Sequence, residues 1–226
     1  MNVGQPGIDL TGLLAWYKMD EASGNAIDAH STGRDLTQFG TVGSAAGKVG
    51  NARSNSGDSS NYFRNQESIF RGNGGYLYHT FWAYFNADGV NYISNVWSTN
   101  NSNDSRWLVS RTGSNQGMRL IVRADGQALQ TTTSPVANLT WIFVEFYLDD
   151  INKEFGLAIN RGGFETTSYS TLATSGTLDL ITFRLLLISS GALNGRVDEM
   201  TFWDTPLTEA RRDYLWNGGN GNTYPT

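Results

Sequence analysis

Alternation between apolar and other side chains over several short segments is the feature that most restricts how this chain can fold. In the segment 141–148, the residues that share one side of an extended chain are Ile142, Val144, Phe146 and Leu148. Period-two alternation of this kind is typical of a strand with one buried face. Asp125-Gly126 and similar pairs separate such segments, because glycine tolerates the positive φ that a tight hairpin turn needs. The pattern predicts an all-β protein built from antiparallel strands.

A single helix is predicted close to the C-terminus. Thr208 can cap its N-terminus, and Glu209 lies in its first turn, where a negative charge is favourable. The residues predicted to form its apolar side are Ala210, Tyr214 and Leu215. The glycine-containing stretch 217–219 is expected to end it.

Charge and cysteine content exclude several functional classes. The chain of 226 residues has 16 Lys+Arg, 21 Asp+Glu and a formal net charge of -5, with no cluster of basic residues. Duplex binding depends on such clusters, so we expect no nucleic-acid partner. The absence of cysteine excludes disulfides and thiol chemistry. No apolar run reaches the ~18 residues that cross a bilayer, and the N-terminus has no signal-peptide pattern, so we expect no membrane insertion.

Two motifs lie near the ends of the chain: LLAWYKMDE at 13–21, followed by Ser23-Gly24-Asn25, and GRVDEMTFW at 195–203, followed by the segment 206–210. Together they resemble the laminin-G-like branch of the concanavalin A-like lectin/glucanase superfamily. The resemblance implies a two-sheet antiparallel β-sandwich, or jelly roll, with one short C-terminal helix and with its first and last strands side by side. It divides the chain into an N-terminal arm (1–12), one domain (13–218) and a C-terminal tail (219–226).

The acidic residues do not form the arrangement that glycan-cleaving relatives need, which is an acid and a nucleophile roughly 5 Å apart on one strand face. The nearest approach is Glu145 followed by Asp149 and Asp150, which are expected at a strand end and in a turn. Asp198 and Glu199 are adjacent, so a regular strand would send them to opposite faces. The two histidines have no catalytic or metal motif beside them and are expected to be structural. We therefore expect no enzymatic activity.

Asp28 and Asp198 are the candidate metal ligands. Calcium prefers oxygen ligands from carboxylates, amides and carbonyls. The resemblance implies that such an ion is held where the first loop meets the last strand, with Gly24, Asn25 and Asp28 in the loop and Asp198 in the closing motif. The alternative is that Asp28 caps a turn and that Asp198 hydrogen-bonds to the neighbouring loop.

The segment between Trp97 and Trp107 is the candidate glycan-binding surface. It is rich in hydrogen-bond donors and acceptors, and aromatic rings can stack on sugar C–H surfaces. The predicted ligand-binding residues are Trp97, Asn100, Asn103, Asp104 and Trp107. The alternative is a solvated loop between two ordinary strands.

These features favour a non-catalytic module for binding or display. The first hypothesis is a virion surface component, such as a bacteriophage capsid decoration or tail protein, that is able to bind carbohydrate. Its expected partners are a glycan or host cell surface, viral capsid or tail proteins, and further copies of itself. The alternative is a carbohydrate-binding module excised from a polysaccharide-degrading enzyme, located outside the cell as part of a larger secreted protein.

Overall fold

The computed structural model describes residues 7–30, 33–65, 75–98, 105–113, 115–172, 181–185 and 192–225. Within these ranges the strands are, in chain order, β1 (Leu13–Tyr17), β2 (Thr37–Phe39), β3 (Gly43–Ala46), β4 (Asn51–Ser56), β5 (Tyr62–Asn65), β6 (Tyr76–Phe85), β7 (Asn91–Ser98), β8 (Ser105–Arg111), β9 (Gly117–Ala124), β10 (Gln127–Pro135), β11 (Trp141–Asp149), β12 (Glu154–Ile159), β13 (Glu165–Ser168), β14 (Ile181–Leu185) and β15 (Asn194–Trp203). Helix α1 (Glu209–Trp216) and a short 3-10 helix, Asn217–Gly219, follow them. None of the described helices is long and apolar enough to cross a membrane.

The described strands form two antiparallel sheets, which confirms the predicted β-sandwich. The eight-stranded sheet has the order β13-β12-β11-β6-β15-β4-β3, with β1 also paired to β15, and the seven-stranded sheet has the order β10-β9-β8-β7-β14-β5-β2. One edge of β15 pairs with β6. Along its other edge, β4 pairs with residues 194–197 and β1 pairs with residues 200–203. The first and last strands are therefore neighbours, as predicted.

The main core lies between the two sheets. The predicted inward side of β11 is confirmed, because its four apolar residues in the segment 142–148 are all buried in this core. Residues of β9 that reach the same core from the other sheet are Met118, Leu120 and Val122. Burial of an aliphatic side chain of this size contributes roughly 1.5–3 kcal/mol, so this layer holds the two sheets together.

His79 belongs to this core and is completely buried. Its Nδ1 lies 2.8 Å from the backbone oxygen of Thr201, and its ring stacks on Phe202 with the centroids 3.8 Å apart. Burial lowers the pKa of His79 to about 3, because the charged imidazolium would lose its hydration. The neutral ring is therefore a structural element, as expected.

A second apolar cluster covers the outer face of the eight-stranded sheet, and it includes Trp16, Trp82, Phe143 and Trp203. Leu215 of α1 belongs to it, and the chain ends pack against it through Ile8, Leu10 and Tyr224. The described part of the predicted arm and the predicted tail are therefore both packed on the domain. The rest of the arm, residues 1–6, lies outside the described residues.

Helix α1 begins and ends as predicted, but its buried side differs. The Thr208 hydroxyl accepts a hydrogen bond from the Arg211 backbone nitrogen, and Asn217 takes a left-handed conformation with φ 47 at the C-terminus. Ala210 is exposed, whereas Arg211 and Arg212 are buried together with Leu215. The predicted apolar side was wrong in this respect, because ion pairs with acidic residues outside the helix compensate the burial of both arginines.

Candidate functional site

Glu145, the acidic residue nearest to a catalytic arrangement in the sequence, is held in a structural ion pair. Its two oxygens accept hydrogen bonds from Arg212, Nε to Oε1 at 2.7 Å and Nη2 to Oε2 at 3.1 Å. The Tyr78 hydroxyl donates a third hydrogen bond at 3.0 Å. The carboxylate is completely buried beneath α1, so it forms its hydrogen bonds with groups of the protein itself.

The two aspartates that follow Glu145 also make structural contacts. Asp149 Oδ1 accepts hydrogen bonds from the backbone nitrogens of Ile151 and Asn152, and this contact shapes the turn between β11 and β12. Asp150 pairs with Lys153 at 2.8 Å. These geometries agree with the predicted strand end and turn.

Asp198 and Glu199 form a β-bulge, so the prediction that they face opposite sides of the sheet was wrong. Val197 and Met200 both point into the main core, which a regular strand could not achieve at this spacing. The register of β15 against β6 shifts between Asp198 and Thr201, and Glu199 has a φ of 44. Both carboxyl groups are therefore carried on the outer side.

Burial dominates the electrostatics of this pair. Asp198 accepts hydrogen bonds from the backbone nitrogens of Lys48 and Val49, at 2.7 and 2.9 Å, and Glu199 accepts one from the Trp16 indole. Burial raises the pKa of Asp198 to about 7 and that of Glu199 to about 8, since ionisation would place charge in a poorly hydrated site.

The structure does not bring the two predicted calcium ligands together. Asp28 pairs with Tyr17 on one edge of β1, while β15, which carries Asp198, lies along the other edge. The Oδ1 atom of Asp28 accepts hydrogen bonds from the backbone nitrogens of Trp16 and His30, at 2.9 and 3.0 Å. Among the described residues, no three His, Cys, Asp or Glu side chains form a group able to hold a metal ion. The hydrogen bonds of each aspartate are those that the turn-capping alternative expects, and calcium binding stays a prediction.

The predicted glycan-binding loop is only partly described. Trp107 lies in the main core with 2% of its surface exposed, in ring contact with His79 and Phe146. Its indole therefore contributes to the core rather than to an outward surface. Asn100, Asn103 and Asp104 lie outside the described residues, and for Trp97 the structure describes only its place in β7.

A different surface presents aromatic side chains outwards. Tyr84 of β6 pairs with Arg196 of β15 on one side and with Trp141 of β11 on the other. The Tyr84 and Trp141 ring centroids are 5.4 Å apart, and the Arg196 guanidinium carbon lies 4.7 Å from the Tyr84 centroid. All three side chains are partly exposed. We call these three residues the aromatic row.

The aromatic row lies next to a part of this face that is covered by the C-terminal segment. Two residues earlier on β6, Trp82 is buried beneath Trp216, with the rings nearly parallel and 5.3 Å between centroids. Asn86 directly follows β6, and its side-chain amide donates to the amide oxygen of Asn194 at 3.1 Å. The row is thus a partly exposed aromatic surface with hydrogen-bonding groups at its margin.

Tyr84 and Trp141 were not among the predicted ligand-binding residues. Trp141 alternates with the inward residues of β11, and the segment from Tyr76 to Phe85 has aromatic residues at both alternating sets of positions. One feature of the sequence could have indicated this surface. The outward side chains of β6 would have to be covered along the whole strand, whereas an eight-residue helix is only about 12 Å long. Part of that outward face therefore remains uncovered.

Comparison with known proteins finds similarity in structure alone. No protein family and no curated protein matches this sequence. Domain 4 of AbnA, an extracellular arabinanase from Geobacillus stearothermophilus, was solved in complex with arabinotriose. It is 17% identical with a TM-score of 0.63, and the match covers 88% of this chain and 95% of that domain.

Two further solved structures share the fold over most of this chain. Trypanosoma rangeli sialidase is 12% identical with a TM-score of 0.70, and the match covers 95% of this chain and 34% of the sialidase. The binding domain of Paraclostridial Mosquitocidal Protein 1 is 18% identical with a TM-score of 0.68, and the match covers 92% of this chain and 52% of that domain. The chain thus spans about a third of the first and about half of the second. At such identities the likeness shows the fold.

Proposed function

We propose that this chain is a non-catalytic glycan-binding module of the laminin-G-like type, and that it binds through the aromatic row. The observation that carries the proposal is the partly exposed Tyr84–Trp141 pair on the outer face of the eight-stranded sheet. Aromatic faces stack on the C–H surfaces of sugar rings, and amides and guanidinium groups orient the hydroxyls. Asn86, Asn194 and Arg196 supply such groups beside the rings.

Two further observations support a binding role without catalysis. The acidic residues considered as catalytic candidates are engaged in turns, in a buried ion pair or in the β-bulge. The arabinanase domain that shares this fold over 95% of its length was solved with arabinotriose bound. Both agree with a module that recognises sugar and leaves chemistry to another protein or domain.

The test is binding to a panel of immobilised arabinan, galactan, xylan and polygalacturonate, measured by affinity electrophoresis and calorimetry. Trp141→Ala is expected to weaken binding by about 5- to 150-fold, because stacking on one ring contributes ~1–3 kcal/mol in comparable base-stacking sites. Phe39→Ala is the matched control, since this exposed ring lies on the other sheet and stacks on Tyr62 at 4.7 Å.

The two variants give opposite outcomes under this proposal. Loss in Trp141→Ala with normal binding in Phe39→Ala supports the aromatic row. Loss in Phe39→Ala with normal binding in Trp141→Ala would place the site on the other sheet. If the wild-type protein binds no member of the panel, the glycan-binding proposal is wrong. Release of reducing ends above a blank would contradict the non-catalytic role.

Two biological settings are proposed for such a module. In the first, many copies are displayed on a bacteriophage capsid or tail, where weak sites gain avidity through repetition. In the second, the module belongs to a polysaccharide-degrading enzyme, as domain 4 does in the arabinanase. The mass of the native particle separates them. A virion-sized particle carrying this chain supports the first, and a soluble multidomain enzyme supports the second.

A further inference from the structure

Two positively charged side chains lie over two aromatic rings on the outer side of β6. The Lys48 ammonium lies 4.9 Å from the centroid of Trp82, and the Arg196 guanidinium carbon lies 4.7 Å from the centroid of Tyr84. Trp82 and Tyr84 are two positions apart on one strand, so their backbone positions are separated by about 7 Å. We call Lys48 and Arg196 the cationic pair.

No carboxylate neutralises the cationic pair within the described part of the chain. The ion pairs found there involve neither Lys48 nor Arg196, although the protein has 21 acidic and 16 basic residues. One guanidinium nitrogen of Arg196 donates to the backbone oxygen of Ala46 at 3.0 Å, which fixes its orientation. Asp198 is the nearest acid in the strand, and its oxygens already accept from three backbone nitrogens.

This geometry favours a ligand that brings its own negative charge. Arginine binds a carboxylate through two parallel hydrogen bonds, and lysine adds a compact positive charge. Both cations are partly exposed; Arg196 lies over Tyr84 of the aromatic row, and Lys48 lies over Trp82, two positions earlier on the same strand. Two isolated cations on a protein of net charge -5 are too few for a nucleic-acid backbone, where binding depends on many phosphate contacts.

We propose that the cationic pair selects glycans that carry carboxylates, so that the preferred ligand of the aromatic row is a polyuronate. This inference rests on the proposed glycan-binding function. In a bound chain, one uronate carboxylate pairs with Arg196 while a sugar ring stacks on Trp141. Lys48 then attracts the carboxylate of a neighbouring sugar.

The experiment compares oligogalacturonate with the same oligosaccharide after full methyl esterification. The two probes have the same sugar rings, so they differ only in charge and in the ester methyl groups. We expect the wild-type protein to bind the acidic form at least tenfold more tightly, in line with one charge-assisted hydrogen-bonded pair, and to lose this preference in high salt. Arg196→Gln is expected to remove most of the preference, because it should weaken binding of the acid much more than binding of the ester.

Arg123→Gln is the matched control, because this arginine lies on β9 of the other sheet and the substitution removes the same charge. Equal losses in Arg196→Gln and Arg123→Gln would attribute the preference to overall charge and overturn the inference. Equal binding of the acid and the ester by the wild-type protein would also overturn it, while glycan binding itself would stand. If the wild-type protein binds neither these probes nor any neutral glycan, the proposed function fails as well. Unchanged melting temperatures for Arg196→Gln and Lys48→Gln establish that each variant is folded.

Discussion

The ion pair beneath α1 allows a quantitative prediction for Arg212→Ala. Glu145 is fully buried and the Arg212 side chain is 11% exposed, so neither group is well hydrated. Removing one partner of such a pair leaves an uncompensated charge and costs about 3–5 kcal/mol. The Tyr78 hydroxyl still donates to Glu145 in the variant, which places the expected loss near the lower end, at about 3 kcal/mol.

The companion variant replaces both partners. Because a buried ion pair can be exchanged for apolar groups at little cost, Glu145→Leu combined with Arg212→Leu is expected to be more stable than Arg212→Ala alone. The difference from additivity between this double variant and the single variants Glu145→Leu and Arg212→Leu gives the coupling energy, expected at more than 1 kcal/mol for groups in direct contact. The outer contact of Arg212 with Glu209 contributes little, since Glu209 is largely exposed.

Urea unfolding, followed by tryptophan fluorescence and circular dichroism, measures these differences. The free energy of unfolding is obtained by linear extrapolation, provided that the two signals coincide. A loss of less than 1 kcal/mol in Arg212→Ala would refute the reasoning, and so would a double variant no more stable than Arg212→Ala. Either result would mean that Glu145 finds another partner or remains hydrated.

Three further predictions concern the ends of the chain and the β-bulge. The pKa values of Asp198 and Glu199 are raised from 3.8 and 4.5 to about 7 and about 8, so the folded state holds protons that the unfolded state releases. Stability should therefore fall as pH rises from about 4 to about 8, and Glu199→Gln should flatten this fall in the melting temperature. Deletion of residues 1–12 should cost about 2 kcal/mol in urea unfolding, because Ile8 and Leu10 pack on the outer cluster, and an unchanged midpoint would contradict this. EDTA should leave the melting temperature unchanged, since the predicted calcium ligands lie on different edges of β1, and a drop that calcium reverses would restore the metal site.

Local pattern was sufficient to predict much of the fold. The alternation in β11 follows from a strand with one face in the main core, and the capping residue Thr208 acts within its own helix. The pairing of β1 with β15 depends on contacts between distant segments, and only the resemblance of the two terminal motifs indicated it.

The errors arose where a tertiary contact overrides local pattern. Glu199 adopts a positive φ and is an extra residue of β15 relative to its partner strand β6. Its side chain therefore lies on the same face of the sheet as that of Asp198. Counting by twos cannot detect such an insertion. Arg212 is buried because Glu145, 67 positions earlier, neutralises it. Trp107 follows a very polar sequence segment, yet its ring lies in the core because β8 begins at Ser105 and Trp107 is an inward residue of that strand.

The position of β15 has a consequence for how the protein folds during synthesis. This strand lies between β6 on one edge and β4 with β1 on the other, so it divides the eight-stranded sheet into two parts. Trp16 and its hydrogen-bond partner Glu199 are separated by 183 positions in sequence. Until β15 has been synthesised, both parts present an unpaired edge to their surroundings. Closure of the sheet must wait for this strand, which slows folding and exposes the nascent chain to edge-to-edge association.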